Sequence, residues 1–475
     1  MKLNKRIITV MVSVLTLFLV LVGYLTYFTV FKAPELVKTE HYKKVREVEK
    51  KILRGAIYDR TGVLLAQSKK DAEGVQKRVY PHGSLYTHTI GYSNRNYGKT
   101  NIELSYDDYL LKTQSVLDVL KNRDKISDEN ALEKGANLSL TLDHELTAYA
   151  AELIGDEFGS VVAINPITGE VYCLYSSPTF DPNEGALTEK WNELSTSTDA
   201  PFFARATQGL YAPGSTFKVV TAAAGIDEGF EDFTFDDEGT TKISGKEFKN
   251  ASKKPYGEID MADAIRVSSN VYFTQLSQKI GKNALKEKAE DFCIMEKVDI
   301  GVPVGTKKDA FDDIDNVGLA SSAIGQGNIR VSPFNMALVA CAIANEGVIM
   351  KPYMVKESFF EDGEIIYSAE PEILSHATDS YTARKIKEYM IGCVESGTGK
   401  SAKVSGIEVA GKTGTAQNER KGKDHTWFIG FAPADNPQIA ICVMKEYSGG
   451  GGGGQCGPIA AKLIEKALET GLITE

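Results

Sequence analysis

The sequence predicts an α+β protein: a central antiparallel sheet flanked by helices, preceded by a transmembrane helix and a small N-terminal domain. Three observations lead there. An uncharged apolar run, Ile7 to Phe31, follows Lys2, Lys5 and Arg6. A strong hairpin signal precedes a long stretch of helical periodicity. Three strand-like segments and one helical segment then close the chain, the pattern of one sheet covered by helices.

The apolar run exceeds the roughly 20 residues that cross a bilayer. It is also longer than a signal-peptide core, and no A-x-A cleavage pattern follows it. It reads as a retained single anchor over residues 7–31, with residues 1–6 cytoplasmic by the positive-inside rule. Lys38, Lys43, Lys44 and Arg46 lie just past it, but long domains translocate regardless of such charges. The rest of the chain is therefore expected on the far side of the membrane. Ala33 to Lys51 is charged and predicts a helical stalk. Arg54 to Ala66, RGAIYDRTGVLLA, predicts two short strands around a turn at Asp59 to Gly62. Short strands, loops and a helix near Ser115 to Arg123 complete a small non-catalytic domain over residues 32–136. Asn137 to Leu142 alternates as a strand, and Asp143 can cap a helix to Ile154. Ser160 to Asn165 and Glu170 to Tyr175, around a turn at Pro166 to Gly169, form the hairpin. Helical patterns follow at Phe217 to Ile226, Met261 to Ile280 and Pro333 to Asn345. The closing strands are Val409 to Gln417, Thr426 to Ala432 and Gln438 to Lys445, and the closing helix runs from Pro458 to Thr470. Gly449 to Gly454 predicts a flexible loop.

Composition narrows the function. The 475 residues suffice for two or three domains, and 42% apolar residues can build a sizeable core. A net charge of −10 without a basic tract argues against nucleic-acid binding. The six cysteines contain no CxxC pair, so neither zinc spacing nor a dense disulfide framework is present. Cys341 and Cys442 sit in apolar company, as small hydrophobes do. No cofactor or metal is required.

One stretch admits two readings. Gly406 to Thr413, GIEVAGKT, matches the nucleotide-binding pattern G-x-x-x-x-G-K-[ST], while Lys412 to Thr415 spells KTGT. A nucleotide loop follows a buried strand and opens a helix. Here Ser396 to Ser405 is polar, and Glu408 would set a carboxylate beside a polyphosphate. Thr413-Gly414-Thr415 is also a poor first helical turn. The segment predicts an extended strand and no nucleotide partner.

Three short patterns carry chemistry. In Tyr211 to Lys218, YAPGSTFK, Ser215 and Lys218 share a helical face at a helix start. A serine hydroxyl needs a base within hydrogen-bond reach. A lysine can serve only when neutral, which burial or a second cation favours. In Val267 to Asn270, VSSN, Ser268 and Asn270 do not share a helical face, but a local loop would aim both at one site. In the strand at KTGT, Lys412 and Gly414 face one way and Thr413 and Thr415 the other. Glycine clears room for another backbone, which suits a peptide adding itself to the strand with its carboxylate at the hydroxyls and the lysine. Each pattern alone is common by chance. Together, in the order SxxK, SxN, KTG, they form a much stronger signal.

That ordered set resembles the one shared by class A β-lactamases and penicillin-binding proteins. Over nearly its whole length the chain resembles a class B penicillin-binding protein, a monofunctional peptidoglycan D,D-transpeptidase of the small type associated with sporulation or elongation. RGAIYDRTGVLLA resembles the family's first pedestal block, and Tyr80-Pro81, Gly91-Tyr92 and Asn101-Ile-Glu103 its later ones. Ala323 to Gly327, Val331-Ser-Pro333 and Ala344-Asn345 resemble its region after SxN, and Gly397-Thr-Gly399-Lys400 its run-up to KTG. The resemblance implies a serine β-lactamase-like transpeptidase domain over residues 137–475 on a pedestal or dimerisation-like domain over 32–136. It implies that Ser215 is the acylated nucleophile, Lys218 its base, Ser268 the proton shuttle to the leaving amine, and Asn270 the holder of substrate amide and Lys218. Lys412 would keep the site electropositive, and Thr413 and Thr415, either side of Gly414, would bind the terminal carboxylate. The N–H groups of Ser215 and Thr415 would form the oxyanion hole. Stem peptides ending in D-Ala-D-Ala are the implied substrates, β-lactams the covalent inhibitors, and a SEDS-family glycan polymerase the membrane partner in cell-wall synthesis.

Two departures stand out. Ser-Ser-Asn replaces Ser-Asp-Asn, which fits transpeptidases better than class A β-lactamases, and Phe292-Cys293 stands where the family often has Phe-Gly. The N-terminal domain is too small for a glycosyltransferase, which excludes a bifunctional protein. The alternative is a membrane-tethered β-lactam sensor or β-lactamase, but no Glu-x-x-x-Asn segment follows Asn270 to activate a water. Three intact motifs disfavour an idle scaffold.

Overall fold

The computed structural model describes residues 5–28, 52–72, 76–111, 134–418 and 423–474. The expected stalk and the helix near Ser115 to Arg123 lie outside the described residues. Lys5–Tyr27 is a single helix. Its segment Val10–Tyr27 has a mean hydropathy of 2.2 and no buried share, so an apolar surface long enough to span a bilayer is left uncovered by protein. That suggests a membrane anchor.

The first sheet has six strands in the order Ile365–Ser368, Val355–Phe359, Asn137–Leu140, Ile57–Tyr58, Leu64–Lys70, Gln76–Val79. Ile57–Tyr58 and Leu64–Lys70 are the expected antiparallel pair. The Asp59 carboxylate between them accepts from the Thr61 and Val63 amides at 2.8 and 2.7 Å, which closes the turn. Asn137–Leu140 runs parallel to Ile57–Tyr58 and antiparallel to Val355–Phe359. The sheet thus draws on three separate stretches of chain. The blocks singled out in the sequence converge beside it. Glu103 is fully buried and accepts from Arg54 Nε and Arg78 Nε, each at 2.6 Å, and from Tyr80 OH at 3.1 Å. Arg54 also pairs with Asp107, which Lys99 holds at 2.6 Å from the other side.

The second sheet has five antiparallel strands in the order Ala410–Ala416, His425–Ala432, Ile439–Lys445, Gly159–Ile164, Val171–Ser177. These are the two early and three late strands expected. All but Thr415 of their residues are buried, because helices cover both faces; hence they read as continuous apolar runs and not as alternation. Val161, Ala163, Phe428, Ile441 and Val443 pack with the helices His144–Ile154 and Gly457–Glu469. Val162, Ile164, Ile429 and Cys442 pack on the opposite side with Pro333–Ala344, a helix buried at every position. Local signals set the helix starts. Asp143 accepts from Leu146 N at 2.9 Å, and Ser332 from Asn335 N at 3.1 Å with Pro333 in the first turn.

All six cysteines are buried and unpaired. Cys293 has φ 57°, so a side chain occupies a left-handed position where glycine is at ease. In the Gly449 to Gly454 run, expected as a flexible loop, Gly452 is buried backbone while Gly450 and Gly454 are exposed. After Gly449, Gly450 and Gly451 at φ 64°, 72° and 79°, a short helix Gly452–Gln455 begins. A Cβ on Gly452 would lie 2.2 Å from the Trp427 carbonyl oxygen and 2.4 Å from that of Gly414. Gly452 must be glycine because it lies directly against the KTGT strand.

Candidate active site

Ser215 lies in a tight turn, Gly214–Phe217, that leads into the helix Lys218–Asp227. Gly214 has φ 56° and donates its N–H to the Gly325 carbonyl at 2.9 Å. A Cβ on Gly214 would sit 2.4 Å from Thr415 O. The serine turn is therefore seated between the KTGT strand and the AIGQG loop at van der Waals limits that only glycine meets. Ser215 is half-buried.

Lys218 and Lys412 are both fully buried. Lys218 Nζ donates to Ser268 O at 2.8 Å, Ser268 Oγ at 3.3 Å and Asn270 Oδ1 at 2.8 Å. Lys412 Nζ reaches Ser268 Oγ at 2.9 Å and Thr413 O at 3.1 Å. Two ammonium groups thus converge on one hydroxyl. Burial pushes Lys218 well below the ordinary lysine range, and the charge of Lys412 pushes it further, against Asp237 and the Cys393 thiol. Burial also lowers Lys412. A lysine lowered this way can be neutral and accept a proton near neutral pH.

The SxN residues meet at a break in the helical stretch expected over Met261 to Ile280. Helix Met261–Val267 ends at Ser268, which is left-handed at φ 60° and ψ 45°. Ser269 starts the next helix, Asn270–Asp291, by accepting from Tyr272 N at 3.0 Å. The turn aims Ser268 Oγ and Asn270 Oδ1 at the same lysine.

The KTGT strand is the edge of its sheet. Lys412 turns to Ser268. Thr413 Oγ1 bonds Thr398 Oγ1 at 2.7 Å, and Thr398 meets Cys393 Sγ at 3.4 Å. Thr415 is exposed, and its Oγ1 accepts from Gly452 N at 3.3 Å. Gly414 makes room for the protein's own backbone: a Cβ there would lie 2.9 Å from both Pro213 O and Thr216 Cγ2. The expected reason for this glycine, a substrate backbone, is replaced by the nucleophile turn. Gly406 sits in a reversal at φ 90° between Val404 and Ile407, and no helix opens after Lys412, so the segment lacks the geometry of a nucleotide loop.

Three separate chain segments are thereby brought together: Lys218, Ser268, Asn270 and Lys412 join in one hydrogen-bond cluster, and the turn carrying Ser215 packs against the strand carrying Lys412, Thr413, Gly414 and Thr415. Among the described residues no carboxylate hydrogen-bonds to any of them, and no group of acidic, histidine or cysteine side chains could hold a metal. Sequence reasoning missed Asp237 and Asn250, which hold the SxN turn from behind. Nothing in FDDEG or KNASKK marks them.

Comparison with known proteins places this geometry in context. Residues 159–465 match the penicillin binding protein transpeptidase domain, and residues 54–138 the penicillin binding protein A dimerisation domain. The chain is 29% identical over 500 residues to the peptidoglycan D,D-transpeptidase PbpA of Mycolicibacterium smegmatis, covering 98% of this chain and 100% of that one. It is 30% identical to the peptidoglycan D,D-transpeptidase MrdA of Acinetobacter baumannii, covering 84% of this chain and 66% of that one. Among solved structures, the ceftriaxone acyl-enzyme complex of penicillin-binding protein A from M. tuberculosis superposes with a TM-score of 0.80 at 28% identity, over 88% of this chain and 99% of that one. A D,D-transpeptidase domain from Eggerthella lenta gives 0.78 at 32% identity, over 89% of this chain and all of that one.

Proposed function

Because the chain belongs to the penicillin-binding protein transpeptidases, of class B, we propose that it cross-links peptidoglycan stem peptides through an ester on Ser215. What supports this reading most directly is the convergence of buried Lys218 and Lys412 on Ser268 Oγ beside the serine turn. Neutral Lys218 takes the Ser215 proton as Oγ attacks the carbonyl of the penultimate D-Ala. The oxyanion is held by the N–H groups of Ser215 and Thr415. The proton passes from Lys218 through Ser268 to the leaving nitrogen, the C–N bond breaks, and terminal D-Ala departs. An acceptor amine then attacks the ester carbonyl: the new C–N bond forms, the C–O bond to Ser215 breaks, and the amine's proton returns through the same groups to Ser215 Oγ. Lys412 keeps the site electropositive, Thr413 and Thr415 hold the donor's terminal carboxylate, and Asn270 holds the substrate amide and Lys218.

A β-lactam enters the same path, since its strained amide presents the same carbonyl to the same nucleophile, and it stays as a penicilloyl ester. The N-terminal helix anchors the protein in the cell membrane as a single pass, with residues 1–6 cytoplasmic, a pedestal over 32–136, and the catalytic domain over 137–475 outside. A SEDS-family glycan polymerase is the partner that such an anchored cross-linker needs beside it. The test is intact-mass spectrometry after incubation with penicillin: wild type gains one penicilloyl group and Ser215→Ala gains none. An adduct retained by Ser215→Ala would overturn the assignment.

A further inference from the structure

Behind the Ser268–Asn270 turn lies a buried polar cluster outside the three motifs. Asp237 ends the strand Phe235–Asp237 and is fully buried. Its Oδ2 accepts from Ser269 Oγ at 2.5 Å, its Oδ1 from Gly239 N at 2.7 Å, and both oxygens from Asn250 Nδ2 at 2.8 and 2.9 Å. Asn250 is 2% exposed and turns its own Oδ1 to the amides of Asn270 and Val271, at 2.8 and 3.1 Å. The neighbouring Lys249 carbonyl takes Asn270 Nδ2 at 2.8 Å.

A buried carboxylate is costly unless its acceptor sites are filled. Here four contacts from three partners fill them, and two of those partners lead to the catalytic turn: Ser269 directly, and Asn250 through the first amides of the following helix. The turn needs such support. The left-handed region is strained for a non-glycine residue, and Ser268 is held there.

Resting on the reading of Ser215 as nucleophile, we propose that Asp237, acting through Ser269 and Asn250, is a positioning residue for acylation. It fixes the shape of the turn that sets Ser268 Oγ and Asn270 Oδ1 on Lys218. Its charge has a second effect. The groups acting on Lys218 are Lys412 from the sheet edge, Asp237 from behind the turn and the Cys393 thiol from the helix Ser380–Glu395. Asp237 opposes the other cation. Without it, Lys218 stays neutral to a lower pH.

The experiment measures second-order acylation of the detergent-solubilised full chain by fluorescent penicillin across pH. Asp237→Asn is expected to slow acylation about 10–100-fold, the scale of a small misplacement of reacting groups, and to move its acid limb to lower pH. Ser269→Ala keeps the charge, so it should slow acylation and leave the limb in place. The exchange Asp237→Asn with Asn250→Asp restores an amide–carboxylate pair and should recover most of the rate. Asp237→Asn acylating within about twofold of wild type, with an unmoved limb, overturns the proposal. If Asp237→Asn does not fold, Ser269→Ala decides, and a wild-type rate there overturns it. Label persisting in Ser215→Ala would instead overturn the nucleophile assignment.

Discussion

Replacing Glu103 by glutamine tests the polar knot of the N-terminal sheet. The carboxylate is fully buried, and the Arg54 and Arg78 side chains that grip it are 3% and 4% exposed. Burial alone would push the Glu103 carboxyl up, but the guanidiniums of Arg78 and Arg54 outweigh it and hold the group at about 2, against an ordinary 4.5. At about 1.4 kcal/mol per pH unit, that difference is worth about 3 kcal/mol. The sign follows from the depression: this stability is complete above the unfolded value of 4.5 and is lost as pH falls through the folded value of about 2. Glutamine carries no charge and leaves two buried guanidiniums facing an amide, a change that costs about 3–5 kcal/mol in comparable buried pairs. Urea unfolding of the solubilised full chain, followed by circular dichroism at neutral and acid pH, reads both effects. The variant should lose about 3–5 kcal/mol at neutral pH, and its stability should fall less steeply than wild type on acidification. A variant within about 1 kcal/mol of wild type, or one that keeps the wild-type acid slope, would refute the reasoning.

Three further outcomes concern the cleft. Gly214→Ala must place a Cβ 2.4 Å from Thr415 O at φ 56°; penicillin acylation should fall by about 100-fold or more, and an unchanged rate would mean the turn is free to move. Lys412→Met removes the cation that helps keep Lys218 neutral, so Lys218 rises and the acid limb of acylation should move to higher pH, read from the rate–pH profile together with a lower plateau. The penicilloyl ester should persist for many minutes to hours, a barrier of roughly 22 kcal/mol or more, because among the described residues no carboxylate hydrogen-bonds to the reacting groups. Pulse–chase with labelled penicillin measures this, while an added amine acceptor should speed turnover of a thioester donor. Release within seconds without an acceptor effect would mark a hydrolase.

Much of the fold could be read from local signals. The hairpin Gly159–Ile164 and Val171–Ser177, the closing strands and the capped starts at Asp143 and Ser332 each have sequence marks within a few residues. So did the motif residues, and the odd Phe292-Cys293 pair, whose cysteine carries the left-handed backbone that glycine would carry elsewhere. Other features were not legible because their causes lie far away in the chain. Asp237 and Asn250 look like ordinary loop polarity until Ser269 is brought against them. The glycines at 452 and 414 answer to Trp427 and Pro213, whose closeness no periodicity encodes. The strand Val355–Phe359 gives no hint that its partner is Asn137–Leu140.

That last pairing bears on how the molecule is made. A ribosome delivers the chain from its N-terminus, and units usually fold in the order they emerge. Here the strand holding Leu138 must wait for Ser358, most of the catalytic unit having been synthesised in between. Until then the small sheet has an open edge beside Asn137–Leu140, the kind of surface that recruits stray strands. The late hairpin Val355–Phe359 and Ile365–Ser368 then shuts that edge like a clasp. A chain cut short before it would keep every N-terminal block and still be left with a sticky, unfinished sheet.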